Sequence, residues 1–254
     1  METEDIQVEV KNRVCWITLN RPKKLNSLTI AMHDSIRSTL EDLDENVKCV
    51  VITGSGSRAF SAGADISEID KLTPEEAEKY SQEGHKTIVK ILNYPKPVIA
   101  VIQGYALGGG LELALSCDFR LATENSRFGF PETKLGLIPG WGGAILSSRL
   151  IGLSKAKELL MTGEYIRAPQ ALSLGLINKV IEVEKLLGDV NLFLEPFIDG
   201  PSQPMHEIKK LLLDRDMVEE KLLQESKAFG MLTGTFDAKE GIEAFKEKRK
   251  PQFK

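Results

Sequence analysis

Three consecutive glycines, Gly108-Gly109-Gly110, lie between two apolar runs and constrain this chain more than any other stretch. The run before them, Pro97-Val98-Ile99-Ala100-Val101-Ile102, is apolar and β-branched and predicts a buried strand. The run after them, Leu111 to Cys117, predicts a short buried helix. Glycine lets a backbone come close to a bound group. A helix that starts at Gly109 leaves its first N–H groups without intrahelical partners. Those donors, with the helix dipole behind them, suit an oxygen that gains negative charge. Glu112 falls in the same first turn, which makes it a candidate acid or base beside an oxyanion site.

The rest of the chain supplies alternating elements around that stretch. Ile6–Val10 and Val14–Leu19 read as a hairpin, Cys49–Ile52 as a strand, and Asp118–Ala122 as a further strand. Thr29 caps a helix with apolar positions at Met32, Ile36, Leu40 and Leu43. Thr73-Pro74-Glu75-Glu76 opens a long helix that runs to about Leu92. Gly54 to Ile66 reads as a small-residue loop after a strand, where ligand sites often form. Ser126 to Glu132 reads as extended, and helical patterns follow at 144–150, 154–161 and 169–174. From Glu182 onwards the signal is helical, with Ile208, Leu211, Leu212, Val218, Leu222 and Phe229 as packing positions. The expected organisation is an α/β core over 1–181 and a helical region over 182–254, with no short-period repeat.

Composition narrows the function. The net charge of −4 gives no electrostatic reason to expect nucleic acid as a partner. The acidic start, Met1 to Asp5, does not read as a secretory signal, and no apolar run is long enough for a membrane span. Cys15, Cys49 and Cys117 each sit in an apolar pattern, so they read as buried free thiols in a reducing, cytoplasmic compartment. No phosphate loop of the Gly-x-x-x-x-Gly-Lys-Ser/Thr type, no dinucleotide fingerprint and no Gly-x-Ser-x-Gly elbow is present. His33, His85 and His206 lack metal-ligand spacing and read as surface histidines.

Two acids remain. An acid in a first helical turn is commonly no more than stabilising. Glu112, however, is flanked by Leu111, Leu113, Ala114 and Leu115, surroundings that raise a carboxyl pKa towards the range a general acid needs. Glu132 follows Phe128-Gly129-Phe130-Pro131 and precedes glycines at 136, 140, 142 and 143. Two carboxyl groups in one apolar pocket can have pKa values pushed apart, giving an acid and a base. Trp141 reads as core or pocket wall, and the basic tail Phe245 to Lys250 as a solvated face or a phosphate contact.

Several stretches in order resemble the crotonases, the enoyl-CoA hydratase/isomerase superfamily. They are Phe60-Ser61-Ala62-Gly63-Ala64-Asp65-Ile66, Gly104 to Ala114, Phe128-Gly129-Phe130-Pro131-Glu132, Gly136-Leu137-Ile138-Pro139-Gly140, Asn20-Arg21-Pro22 with Leu25 to Leu28, and the tail from Gly241 to Arg249. The resemblance implies a spiral of repeated ββα units with a C-terminal helical region that trimerises, the trimers often pairing into hexamers. It implies that the amides of Ala64 and Gly109 stabilise a thioester enolate. It also implies that Glu132 delivers the proton to the α-carbon while Glu112 holds and activates the water that adds at the β-carbon. Lys24, Leu25, Ala62, Asp65 and Ile66, with Arg58, Phe245 and Lys248, correspond to coenzyme A contacts, and Trp141 to a wall of the acyl pocket. Ser67 replaces a lysine common in the family. The implied activity is reversible hydration of a trans-2-enoyl-CoA to the 3-hydroxyacyl-CoA, with no metal or redox cofactor. The competing readings are an enoyl-CoA isomerase, another acyl-CoA lyase or hydrolase of the family, and a non-enzymatic acyl-CoA-binding scaffold.

Overall fold

The computed structural model describes residues 5–254, apart from the Arg215 side chain. The acidic opening Met1-Glu2-Thr3-Glu4 lies outside the described residues. The chain begins with β1 (Ile6–Lys11) and β2 (Val14–Leu19), an antiparallel hairpin, and then α1 (Ile30–Asp42). A pattern follows three times: a strand in one sheet, a short strand in a second sheet, and a helix. The first turn is β3 (Cys49–Gly54), β4 (Ala59–Ser61), and the helices α2 (Ile66–Ile69) and α3 (Pro74–Leu92). The second is β5 (Val98–Ile102), β6 (Tyr105–Leu107) and α4 (Gly109–Ser116). The third is β7 (Phe119–Thr123), β8 (Arg127–Gly129), a 3-10 turn over Pro131–Leu135, and α5 (Gly143–Thr162). After these come β9 (Tyr165–Arg167), α6 (Ala168–Ser173) and β10 (Lys179–Ile181). The chain closes with α7 (Leu186–Asp199), α8 (Ser202–Leu212), α9 (Arg215–Thr233) and α10 (Phe236–Glu247).

The six-stranded sheet runs β1-β2-β3-β5-β7-β10 and the four-stranded sheet β4-β6-β8-β9. Within the repeats, β3, β5 and β7 pair in parallel, as do β4, β6 and β8. This is the ββα spiral that the resemblance implies. The short strands β4, β6 and β9, which fall in stretches read from sequence as loop or helix boundary, form most of the second sheet. Each is three residues long, too short for an alternation pattern to show.

Period-two alternation divides the long strands between two cores. Val50 and Ile52 of β3 enter the main core with Ile17, Leu19, Ala100 and Ile102. Cys49 and Val51 face the other side, where Leu186, Val190 and Leu194 of α7 cover them. All three cysteines are buried and free, as their patterns suggest. Thr73 caps α3 through a reciprocal capping box with Glu76, and Thr29 accepts a hydrogen bond from Met32 N at the start of α1. In α5 the backbone breaks at Gly152, which separates the two helical stretches read from sequence. Among the described residues, no helix is long and apolar enough to cross a membrane.

The C-terminal helices differ from expectation in one respect. Val218, Leu222 and Phe229 are buried, but Ile208, Leu211 and Leu212 on α8 are exposed. Helical periodicity identifies an apolar face but does not say whether the same chain covers it.

Candidate active site

The site forms where the second sheet ends against α4. Gly108 caps α4 at φ 48° and ψ −128°, a conformation that an L side chain adopts only under strain. A methyl group built on Gly108 would stand 2.4 Å from Glu132 Oε1, so the Glu132 carboxyl rests directly on this turn. A methyl group on Gly109 would stand 3.3 Å from Ala64 N. The two amides assigned to the oxyanion therefore share one small space, between the end of β4 and the start of α4. Among the described residues neither N–H has a backbone acceptor, and the Gly109 amide is the first of its helix. The bridge between Leu28 and Ala64 holds the Ala64 segment: Leu28 N donates to Gly63 O, and Asp65 N donates to Leu28 O.

Glu112 is on the first turn of α4 and only 1% exposed. Its Oε1 accepts hydrogen bonds from Trp141 N at 2.8 Å and from Gly143 N at 2.6 Å. Glu132 is part of the 3-10 turn rather than an extended segment, because Pro131 opens that turn. Its Oε2 is buried without a partner. Both carboxyl groups are pushed above the usual carboxylate range. For Glu112 the causes are burial and then the Glu225 carboxylate, opposed by the loop amides. For Glu132 they are burial and then Glu112 itself. Two acids that repel each other in a dry space do not both ionise, so the pair retains a proton near neutral pH.

Trp141 lies between Glu112 and the helices behind it. It is 2% exposed, with its ring edge-on to His33 at 4.4 Å and tilted against Tyr80 at 5.6 Å. A methyl group on Gly109 would meet the Trp141 ring at 2.4 Å, so the indole forms one wall of the space beside that amide.

At the rim, Asp65 takes Arg21 at 2.9 Å and Lys24 at 3.1 Å on its Oδ2, while Ser67 donates to its Oδ1. Burial raises the Asp65 carboxyl, but the hydrogen bonds from Ser67, Arg21 and Lys24 outweigh it and hold the group well below its ordinary range. Leu25 is in the left-handed region beside Lys24, and Ala62 N donates to Leu25 O, which joins the two loops. Ile66 opens α2 just beyond. Lys24, Leu25, Ala62, Ala64, Asp65 and Ile66 thus form one rim. Arg58 is exposed on the loop before β4. Phe245 is exposed on α10 and Lys248 ends that helix.

Two expectations need correction. His33 and His85 are on helices, but neither is at the surface. His33 is fully buried, with both ring nitrogens unpartnered, and His85 is 6% exposed against Glu225. His206 is half-buried on α8. Both buried histidines follow the core faces of α1 and α3, where a neutral ring packs as an aromatic, and burial lowers His33 to about 3 and His85 to about 4. Glu225 was not foreseen as part of the site. The signal was present: it continues the stripe Val218, Leu222, Phe229, where the helical period predicts an apolar residue.

The sequence and the fold are shared with known proteins. The family model for enoyl-CoA hydratase/isomerase matches residues 9–254. A short-chain-enoyl-CoA hydratase from Clostridium acetobutylicum is 39% identical, covering 98% of this chain and 97% of its own. A crotonyl-CoA hydratase from Syntrophomonas wolfei is 38% identical, covering 100% of this chain and 99% of its own. Among solved structures, an enoyl-CoA hydratase from Mycobacterium avium subsp. paratuberculosis superposes with a TM-score of 0.89 at 31% identity over 99% of both chains. With its motifs in order, its spiral in place and both acids beside the glycine turn, this chain belongs to the enoyl-CoA hydratase/isomerase family.

Proposed function

We propose that Glu112 and Glu132, with the amides of Ala64 and Gly109, carry out the hydration of a short trans-2-enoyl-CoA. The protein is an enoyl-CoA hydratase, a hydro-lyase. The observation that carries the reading is the placement of two carboxyl groups around the glycine turn, beside the Ala64 and Gly109 amides, neither of which has a backbone acceptor among the described residues.

The chemistry follows from that placement. The thioester oxygen gains charge as water adds to the β-carbon, and two preorganised N–H donors stabilise it by about 2.7–4 kcal/mol each. Glu112, fixed by Trp141 N and Gly143 N through one oxygen, offers the other to a water molecule. The water oxygen bonds to the β-carbon while its proton passes to Glu112. The C2–C3 double bond shifts its electrons towards the thioester, and Glu132 gives its proton to the α-carbon. The carboxyl pair ends with one proton, as it began, and resets when the product leaves. No cofactor enters this scheme, and coenzyme A is part of the substrate.

Short acyl groups fit best because the Trp141 ring occupies the space beside Gly109. The two relatives named for short-chain or crotonyl substrates point the same way. Lys24 and the Asp65 loop suit the anionic coenzyme A at the rim, with Phe245 and Lys248 contributing from the tail. The exposed apolar residues Ile208, Leu211 and Leu212 suit burial between copies of the chain, in a homotrimer or a dimer of trimers. Three buried free thiols and the absence of a long apolar helix among the described residues fit a cytoplasmic protein.

The test is a paired assay. Crotonyl-CoA should lose its enoyl-thioester ultraviolet absorbance on addition of the enzyme, while a 3-enoyl-CoA should be converted much more slowly. Preference for the 3-enoyl substrate would move the reading to an isomerase.

A further inference from the structure

The loop Gly140-Trp141-Gly142-Gly143 is held from two sides by two different acids. Trp141 N and Gly143 N both donate to Glu112 Oε1. The amide between them, Gly142 N, donates in the opposite direction, to Glu225 Oε1 at 2.5 Å. Glu225 comes from α9, 83 residues beyond Gly142. His85 Nε2 of α3 meets the same Oε1 at 3.1 Å, and both side chains are buried, at 7% and 4% exposure. Glu225 Oε2 is buried without a partner.

We propose that Glu225, braced by His85, is a positioning residue for Glu112: it fixes the Gly142 peptide so that the amides on either side both face the catalytic carboxyl group. The proposal rests on the role given to Glu112 above. Gly142 has φ +99°, a conformation open mainly to glycine, so its neighbouring peptides can turn if nothing holds them. Without an acceptor at Glu225, the buried Gly142 N–H has no partner, and the loop can relieve this only by rotating. Rotation of the Gly142 peptide moves Trp141 N or Gly143 N off Glu112 Oε1. The second oxygen of Glu112, the one left for water, then loses its direction. A displacement of about 1 Å at a catalytic group can cost on the order of 10²-fold in rate.

Two supporting features distinguish this from ordinary packing. The hold of α9 on the core has its own apolar anchors in Val218, Leu222 and Phe229. Glu225, when ionised, also raises the Glu112 carboxyl, and burial pushes Glu225 itself up to about 8, so the two acids titrate together.

The experiment measures kcat and KM for crotonyl-CoA and the melting temperature of four proteins: the wild type, Glu225→Leu, Glu225→Gln and Leu194→Ala. The last is a stability control on α7, away from the site. Glu225→Leu should lower kcat by about 10²-fold with little change in KM. Glu225→Gln keeps an acceptor for Gly142 N and should recover most of that loss. Leu194→Ala should lower the melting temperature and leave kcat unchanged. If Glu225→Leu does not fold, His85→Leu, which removes only the brace, should still lower kcat by about tenfold relative to Leu194→Ala. The proposal is overturned if the folded Glu225→Leu protein, or His85→Leu in its place, turns over at the wild-type rate, or if Leu194→Ala shows the same loss. An inert wild type would instead remove the hydratase reading on which the proposal rests.

Discussion

Asp65 and Glu112 are both nearly buried carboxyl groups at the start of a helix, yet their surroundings drive them in opposite directions. Asp65 sits at the rim with a guanidinium, an ammonium and a hydroxyl, and it is held ionised. Glu112 sits at the floor with two amide donors, no cation and two other acids nearby, and its carboxyl is pushed up. A charged rim suits an anionic carrier group that must arrive and leave through water. A floor that holds protons suits a reaction that moves them. The same residue class suits anchoring in one place and proton transfer in another because the partners differ.

That contrast can be broken most directly at the floor. Glu112→Gln keeps the two loop amides paired but cannot take a proton from water, so kcat should fall by about 10²–10⁴-fold in a hydration assay. A loss smaller than tenfold would mean that Glu112 only packs the loop. At the rim, Asp65→Asn leaves Arg21 half-buried beside a neutral group. Chemical denaturation should show a loss of about 3 kcal/mol at pH 7. Because the Asp65 pKa is depressed in the fold, this contribution is full above the ordinary value of 3.8 and disappears as pH falls below it. Wild-type and variant curves should therefore converge in acid, and a gap that persists there would assign the loss to something other than charge.

Between the two regions lies the glycine turn. Gly108→Ala places a methyl group 2.4 Å from Glu132 Oε1 at a positive φ, and kcat should fall by about 10²-fold while coenzyme A ester binding is retained. Equal losses in binding and turnover would show that the turn shapes the whole site rather than the acid. The pH profile sharpens the contrast further. The floor acids keep one shared proton above the ordinary carboxylate range, and turnover needs it on Glu132, so kcat/KM should hold steady from weakly acidic through neutral pH and fall only in alkali, as the pair loses that proton. A fall already at pH 5 would mean ordinary carboxyl groups. The smallest effect belongs to Lys24, whose side chain is 57% exposed. Lys24→Ala should raise KM a few-fold, more at low salt than at high, with kcat unchanged.

Much of this was legible in the sequence, for identifiable reasons. Val98–Ile102 and Gly109–Ser116 are long and apolar enough to read as strand and helix, and Thr73-Pro74 marks a helix start without ambiguity. The repeat was not legible, although the fold repeats a ββα unit. The unit's helix has 19 residues in α3 and 8 in α4, so no constant spacing survives along the chain. The second sheet was missed because its strands are three residues long. Glu112 and Glu132 were found through motifs that keep their order in the chain. Glu225 joins them only through tertiary packing, and its one local sign is an acid where the stripe on α9 calls for an apolar side chain. The burial of His33 and His85 was missed because histidine packs as an aromatic or stands in water with the same helical spacing.

The central claim is that proton transfer by the buried acid beside Gly108 drives turnover. It is tested most directly by following crotonyl-CoA absorbance with the wild type and with Glu132→Gln, alongside binding of an unreactive acyl-CoA. The account predicts rapid loss of absorbance with the wild type, a loss of most turnover in the variant, and nearly equal binding by both. Near-normal turnover by Glu132→Gln would contradict it.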